Sequence, residues 1–476
     1  MKAEDILGIA DINEKVSRLK KRATAEPDTV QNLKDWDPDK HDVTDEAIRK
    51  KRRIVTQPEV KDAMGTITQE AKYKDEEVNR IPLPIEQDIV NIQTAFTMSN
   101  EPVLTSNAET EQEKDVFEVL KSILKANKIK YHNKRVMRAW LAETEVAEYW
   151  YKVEDSSWWK RVLRFFKLTA APTMKTKVSI WSPFRGDKLY PVFDEFNNLI
   201  LFSREYEVEN EDDTKTTKLM VLDDTYVRYF TQSGGSWDEG SPVKHGFSKL
   251  PVVYLWREKP FCHKIKRIRS RLETLLSNYA DCLDYNFFPK LAAKGEVTEV
   301  QNRGTGSEII VLEDGADIGY LSWQQTPEMA KLEFDNLTER CYSMTNTPRI
   351  SFENMKGLGS SFSGVSFEFA FMGAHMSVYN HAEDVEEFLQ RRVNLLLSVI
   401  GDIIPKYKEA TESITVDVEI VPYIIKDKSQ DVDLAVKAVG GGVASLRNGI
   451  LLAGITDKIE EELKEIQDEQ SKPVVQ

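Results

Sequence analysis

Between residues 365 and 400 apolar side chains recur at steps of three and four: Val378, Ala382, Val385, Leu389, Val393, Leu396 and Ile400. That spacing puts them on one face of a helix. At 3.6 residues per turn such a helix runs for about ten turns. A helix this long is not stable alone and needs partners along its length, from its own chain or a neighbouring copy. Glu383, Asp384, Glu386 and Glu387 flank the stripe. They read either as a solvated face or as carboxylates aimed at another surface.

The elements before it are shorter. Residues 1–80 are polar, charge-dense and poor in aromatics, and the run Arg49-Lys50-Lys51-Arg52-Arg53 follows Asp42, Asp45 and Glu46. The expectation is a partly helical, partly disordered arm, its basic run a solvated patch. Pro82 and Pro84 mark entry into compact structure. Helical periodicity covers about 86–96 and 111–143, with Val116, Val119, Leu120, Ile123 and Leu124 as one face. A strand-rich stretch begins at 147–153, interrupted by Trp158, Trp159, Phe165 and Phe166, an insertion expected to pack on the sheet.

Residues 176–257 predict an antiparallel β unit. Its strands are 178–181, 199–208, 218–222, 226–231 and 250–256, with turns at Asn197-Asn198 and Asp212-Asp213 and a loose loop at Gly234, Gly235 and Gly240. A helix over 262–287 follows, with Ile265, Ile268, Leu272, Leu275, Tyr279 and Leu283 as its apolar stripe. Its first turns carry Lys264, Lys266, Arg267, Arg269 and Arg271. Cations there oppose the helix dipole, which points either to acidic neighbours on another subunit or to a tolerated solvated face. Residues 297–323 predict a small β insert with turns at Gly304, Gly306 and Asp314-Gly315. A second helix covers 327–345 and stops before Pro348. The segment 351–364, rich in Gly and Ser, reads as a flexible loop. After the long helix come an edge-like strand at 413–421 and helices over 431–463, broken at Gly440-Gly441-Gly442 and Gly454.

Catalytic patterns are missing. There is no GxxxxGK[ST] phosphate loop, HExxH zinc helix or GxSxG elbow. With 6 histidines, candidates for a Ser-His or Cys-His pair are few. Asp417 and Glu419 share a strand face without a third ligand, and Cys262-His263 has no second pair at ligand spacing. The 3 cysteines, Cys262, Cys282 and Cys341, are odd in number and far apart, which predicts reduced thiols. The expectation is a non-enzyme with no metal and no cofactor. The start, already acidic by residue 10, predicts no secretory leader, and no apolar run is long enough to cross a bilayer. A net charge of −14 argues against tight, non-specific DNA binding and suits either a channel that a duplex slides through or an ordinary acidic protein.

The order of these elements resembles the portal proteins of tailed double-stranded DNA bacteriophages, of the long-tailed type, over about residues 85–465. Tyr190-Pro191-Val192-Phe193-Asp194, the Asn197 turn and residues 199–206 are similar to the portal wing, and Lys249-Leu250-Pro251-Val252-Val253 to its closing strand. Residues 268–285, with Ser277-Asn278-Tyr279-Ala280-Asp281 inside and Pro289-Lys290-Leu291 after, resemble the first stem helix. Asn346-Thr347-Pro348 resembles the end of the second. Gly359-Ser360-Ser361-Phe362-Ser363-Gly364-Val365-Ser366 resembles the loop before the long kinked helix, and Asp431, Ser445, Asp457 and Glu460-Glu461-Glu462 the crown. The arm and the Trp158-Trp159 insertion depart from the family's pattern.

The resemblance implies an α+β fold in a fixed order: a polar arm (1–80), wing (81–258), first stem helix (259–296), clip (297–324), second stem helix (325–348), tunnel loop (349–364), long wing helix (365–412), and a strand with a helical crown and charged tail (413–476). It implies a homo-oligomeric ring of about twelve copies at one capsid vertex. Double-stranded DNA is packaged and ejected through its channel. Implied partners are the terminase large subunit, which hydrolyses ATP, the major capsid protein, scaffolding protein and a head–tail adaptor, with no membrane. The implied place is the virion, with assembly in the host cytoplasm. Asn354, Lys356, Gly357, Gly359, Ser360, Ser361 and Ser363 would form the DNA-facing loop. Glu383, Asp384, Glu386 and Glu387 would face the tunnel or a neighbour. Glu299, Gln301, Arg303, Glu308, Glu313 and Asp314 would lie in the docking clip. Two other classes stay open: a minor capsid or head–tail adaptor protein, and a metal-dependent nuclease with scattered carboxylates.

Overall fold

The computed structural model describes residues 3–471 apart from 23, 58, 62–63, 65–66, 155–173, 212, 287–289, 295–296, 303–307, 313–316, 322–326, 350–363, 424–427 and 457–458. The chain opens with α1 (Ala3–Leu7), α2 (Ile12–Leu19) and α3 (Thr29–Trp36). Asp11 caps α2, its side chain accepting from Glu14 N at 2.8 Å. The strands β1 (Arg52–Gln57), β2 (Val60–Lys61), β3 (Ile67–Gln69) and β4 (Lys72–Glu76) pair antiparallel, β1 with β4 and β2 with β3.

The helices of the arm agree with its partly helical reading, and the structure adds where they pack. Ile6, Val16 and Leu19 are buried in one cluster with Tyr190, Val192, Leu201, Leu219, Val221, Phe230 and Trp237. Three anchors spread over two short helices are too sparse to register as periodicity, yet they pack this part of the arm on a sheet. The basic run is also paired: Arg49 with Asp281 at 2.6 Å, Arg52 with Glu76 at 3.2 Å, and Lys51 with Glu77.

Next come α4 (Ile85–Met98), β5 (Val103–Ser106), α5 (Glu111–Ala126), α6 (Ile129–Glu143), β6 (Glu145–Glu154) and β7 (Met174–Trp181). The β unit continues as β8 (Lys188–Phe193), β9 (Leu199–Glu209), β10 (Lys215–Leu222), β11 (Tyr226–Ser233), β12 (Ser236–Glu239), β13 (Val243–Lys244) and β14 (Val252–Trp256). One sheet runs β12-β11-β10-β9-β8, with β13 on β11; a second runs β14-β6-β7. Asn197 and Asp213 take φ of 62° and 61°, a left-handed conformation that Asn and Asp tolerate better than most residues. Strand β10 is apolar on both faces. Leu219 and Val221 face the arm's cluster, whereas Met220 and Leu222 meet Val252 and Tyr254 of the second sheet. A strand covered on both sides reads as a continuous apolar run, as 219–222 does.

The C-terminal half holds α7 (Lys266–Asn286), entered through a 3-10 turn at Phe261–Ile265, then β15 (Lys290–Lys294), β16 (Val297–Asn302), β17 (Glu308–Leu312), β18 (Asp317–Leu321) and α8 (Pro327–Met344). The long helix α9 (Gly364–Ile403) leads to α10 (Lys408–Ser413), β19 (Val416–Glu419), α11 (Lys428–Gly440), α12 (Leu446–Ala453) and α13 (Ile459–Ser471). The stripe of α9 finds its partners in its own chain. Val378, Val385, Leu389, Val393, Leu396 and Ile400 join residues of α4, α5, α6 and β14 in the largest core. Strand β19 pairs antiparallel with β5, a strand that the sequence reading lacked. Asp417 and Glu419 are exposed on β19. The mixed helix and sheet make the chain α+β, as expected. Among the described residues no helix is long and apolar enough to cross a membrane.

Candidate nucleic-acid and assembly surfaces

Helices α7 and α8 run antiparallel. Arg271, early in α7, pairs with Glu333 at 2.8 Å, while Tyr279, later in α7, shares a cavity with Glu328 at the start of α8. That cavity, of about 350 Å³, is lined by Leu275, Leu276, Ala330 and Phe334. Leu283, Met329 and Leu332 are exposed, Met329 and Leu332 by more than half. Apolar residues exposed together on paired helices mark a surface that favours a partner.

The cations at the start of α7 do have acidic neighbours, and these belong to the same chain. Lys266 and Arg269 both reach Asp35, at 2.9 and 3.1 Å. Arg269 also lies 2.9 Å from Glu86 and 3.6 Å from Glu273. His41 Nδ1 sits 2.5 Å from Glu273 Oε1, both side chains fully enclosed, and Glu273 also accepts from Leu83 N at 2.9 Å. The carboxylates that offset the dipole conflict therefore come from α3, α4 and α7 itself.

Within this junction burial pushes the Glu86 carboxyl up to about 7, against the pull of Arg269. The unfolded value is near 4.5. Between those two pH values the folded chain holds a proton that the unfolded chain has released. Stability from this group therefore falls as pH rises from 4.5 to 7, by on the order of 1–3 kcal/mol. Urea unfolding across that window should show the decline, and Glu86→Gln should flatten it. An unchanged slope in the Gln variant would assign the decline to other groups.

The β insert between α7 and α8 consists of two antiparallel pairs, β15 with β18 and β16 with β17. Glu299 lies opposite Val311, Gln301 opposite Ile309, and Glu308 opposite Asn302. Arg303, Glu313 and Asp314 fall outside the described residues, as do Asn354, Lys356, Gly357, Gly359, Ser360, Ser361 and Ser363 of the expected loop. The loop's entry is anchored: Gln93 donates to Thr347 Oγ1 at 2.8 Å and to Thr345 O at 3.2 Å. Its exit is Gly364, the first residue of α9.

The four carboxylates of α9 are not equivalent. Glu386 turns to the end of β19 and accepts from Ile420 N at 2.7 Å. Glu387 pairs with Arg391 one turn on, at 2.5 Å. Asp384 and Glu387 line a cleft of about 490 Å³ with Asp194, Tyr254, Trp256 and Arg391. Partial burial, with Glu383 alongside, raises the Asp384 carboxyl above its ordinary range. Glu383 is exposed. Sequence reasoning missed the ionic tie beneath them. Arg392 donates to Glu148 through Nε and Nη2, at 2.9 and 2.5 Å, and to Asn133 at 2.8 Å, while His132 lies 2.7 Å from Glu148. The available signal was an arginine on the apolar side of α9, four residues after Phe388 and four before Leu396.

The family model for "Phage portal protein, SPP1 Gp6-like" matches residues 17–474. The chain belongs to that family. Phage portals are a structural class, not a catalytic one. The portal chain is also similar to three solved structures. These are the neck of a native gene transfer agent (GTA) particle computed with C12 symmetry (10% identity, TM-score 0.38, covering 92% of this chain and 96% of that one), the neck of an empty GTA particle computed with C6 symmetry (11%, TM-score 0.37, 78% and 89%), and the virion of a native GTA particle (11%, TM-score 0.33, 78% and 89%). No curated protein matches the portal chain. Among its described residues no group of three or more His, Cys, Asp or Glu could hold a metal ion.

Proposed function

We propose that this chain assembles into a closed ring of about twelve copies at one capsid vertex, through which double-stranded DNA is packaged and later ejected. The observation that carries the reading, beyond family membership, is the antiparallel stem with apolar side chains left in solvent. Leu283, Met329 and Leu332 lack cover in the single chain and suit burial against a neighbouring copy. The two-stranded pairs at the far end of the stem are the docking surface for the terminase large subunit and then for a head–tail adaptor. Scaffolding protein and the major capsid protein meet the ring from the capsid side.

The segment 349–364, between Thr347 and α9, is the DNA-facing loop. Glycines and serines let each copy adopt its own conformation against a duplex that does not share the ring's symmetry. Lys356 contacts phosphate and Asn354 hydrogen-bonds it. The net charge of −14 limits gripping, so the duplex slides. Negative-stain microscopy and native mass spectrometry of the purified chain test the reading. The expected particle is a ring with a central hole wide enough for B-DNA. Compact particles with no hole would overturn it.

A further inference from the structure

Residues 119–142 carry seven Lys and Arg and no Asp or Glu, in a chain whose net charge is −14. This stretch is the second half of α5, the turn and nearly all of α6. The acids of α5 stop at Glu118. Lys121, Lys125, Lys128, Lys130, Arg135 and Arg138 are exposed. Lys121 pairs with Glu118 at 3.0 Å, and Lys130 lies 3.9 Å from Glu101. Lys125, Lys128, Arg135 and Arg138 make no ion pair among the described residues. Like charges this close repel one another, and nothing in the core needs them.

Beside them is a cavity of about 570 Å³. Four of these lysines, at 121, 125, 128 and 130, rim it, while Leu104, Leu124, Ile129, Leu389, Val393 and Val418 form its apolar lining. The volume falls within the range of ordinary ligand pockets. A phosphate backbone needs the cations but has nothing to place among leucine and valine side chains. A peptide bearing both carboxylates and apolar residues uses both halves of the site, in the way that amphipathic helices fill grooves.

We infer that the α5–α6 face docks an acidic amphipathic peptide segment of a partner protein, with carboxylates on the lysine rim and one or two apolar side chains in the cavity. This goes beyond the ring and the DNA path, and stands whether or not they hold. Charge complementarity also sets the approach: the rest of this acidic chain repels such a segment and this face attracts it, most strongly at low salt.

Fluorescence anisotropy on the full chain tests the inference with a labelled helical peptide of glutamate and leucine, leucines on one face. The same peptide with serine for leucine and a short DNA duplex of similar length are the comparison probes. At about 150 mM salt the Glu/Leu peptide should bind at least tenfold more tightly than either. The surface variant Lys125→Glu/Lys128→Glu/Lys130→Glu should lose at least tenfold in affinity with unchanged circular dichroism and thermal midpoint. Leu104→Trp, which fills the cavity and leaves every charge in place, should weaken the peptide as well. No binding of the peptide overturns the inference. So does duplex binding as tight as the peptide's, which would make this a nucleic-acid face. Loss of self-assembly in the lysine variant would make it a contact between copies, with the same consequence.

Discussion

Glu148→Ala should destabilise the chain by about 3–5 kcal/mol, the largest effect expected of any single substitution considered. Glu148 is fully enclosed, and Arg392, the residue it neutralises, is almost so. Removing the carboxylate leaves a guanidinium that can neither reach water nor lose its proton. Burial pushes the Glu148 carboxyl up, but Arg392 and His132 outweigh burial and hold it at about 2. A folded value below the unfolded one stabilises the chain above about pH 4.5, and that contribution disappears as pH falls towards 2. Denaturant unfolding of Glu148→Ala should therefore show its full deficit at pH 7 and a smaller one near pH 3. The double variant Glu148→Met/Arg392→Met should be milder than Glu148→Met alone, because a neutral pair leaves no stranded charge. Equal deficits in the single and double variants would contradict the account of this tie.

Met329→Glu/Leu332→Glu should abolish ring formation while leaving the monomer folded. Both side chains stand in solvent at the start of α8, three residues apart on one face, so the single chain loses little packing when they change. In a ring the two carboxylates of every copy would be pressed against the neighbouring stem. Burying unpaired charge at each contact costs several kcal/mol, and the cost recurs at every interface. Native mass spectrometry should report monomers in place of the ring expected of the parent chain, with an unchanged circular dichroism spectrum. Rings that persist in the double variant would place the contact on another face.

The parts of the fold that could be read in the sequence were those specified locally. The α9 stripe, the strands of the β unit and the amphipathic pattern of α7 each repeat within a window short enough to recognise. The parts that could not be read depend on residues far apart. The pairing of β5 with β19 joins positions about three hundred residues apart, and four residues per strand give no pattern of their own. The distant acids facing the start of α7 are Asp35 on α3 and Glu86 on α4. No local rule finds them, and the dipole conflict fitted a solvated face or another copy's acids equally well. The helices of the arm were under-read because Ile6, Val16 and Leu19 are too few. The better clue lay in the partner: an apolar run at 219–222 needs cover on both faces, and the arm supplies one of them.

The site divides in the same way. Composition marked the Gly-Ser segment, which lies outside the described residues. The α9 carboxylates were visible as a charged cluster. Whether each was free depended on Ile420 and Arg391, which the cluster alone does not reveal.

The first fifty residues grip two bodies at once. Lys15, Lys20 and Arg22 hold Glu239, Glu205 and Glu145 on the sheets, while His41 and Arg49 hold Glu273 and Asp281 on α7. A strap fastened at both ends resists torsion. Rotating α7 against the sheets would break polar contacts at both ends of this strap. In the proposed ring, such torsion would pass to the joints between copies.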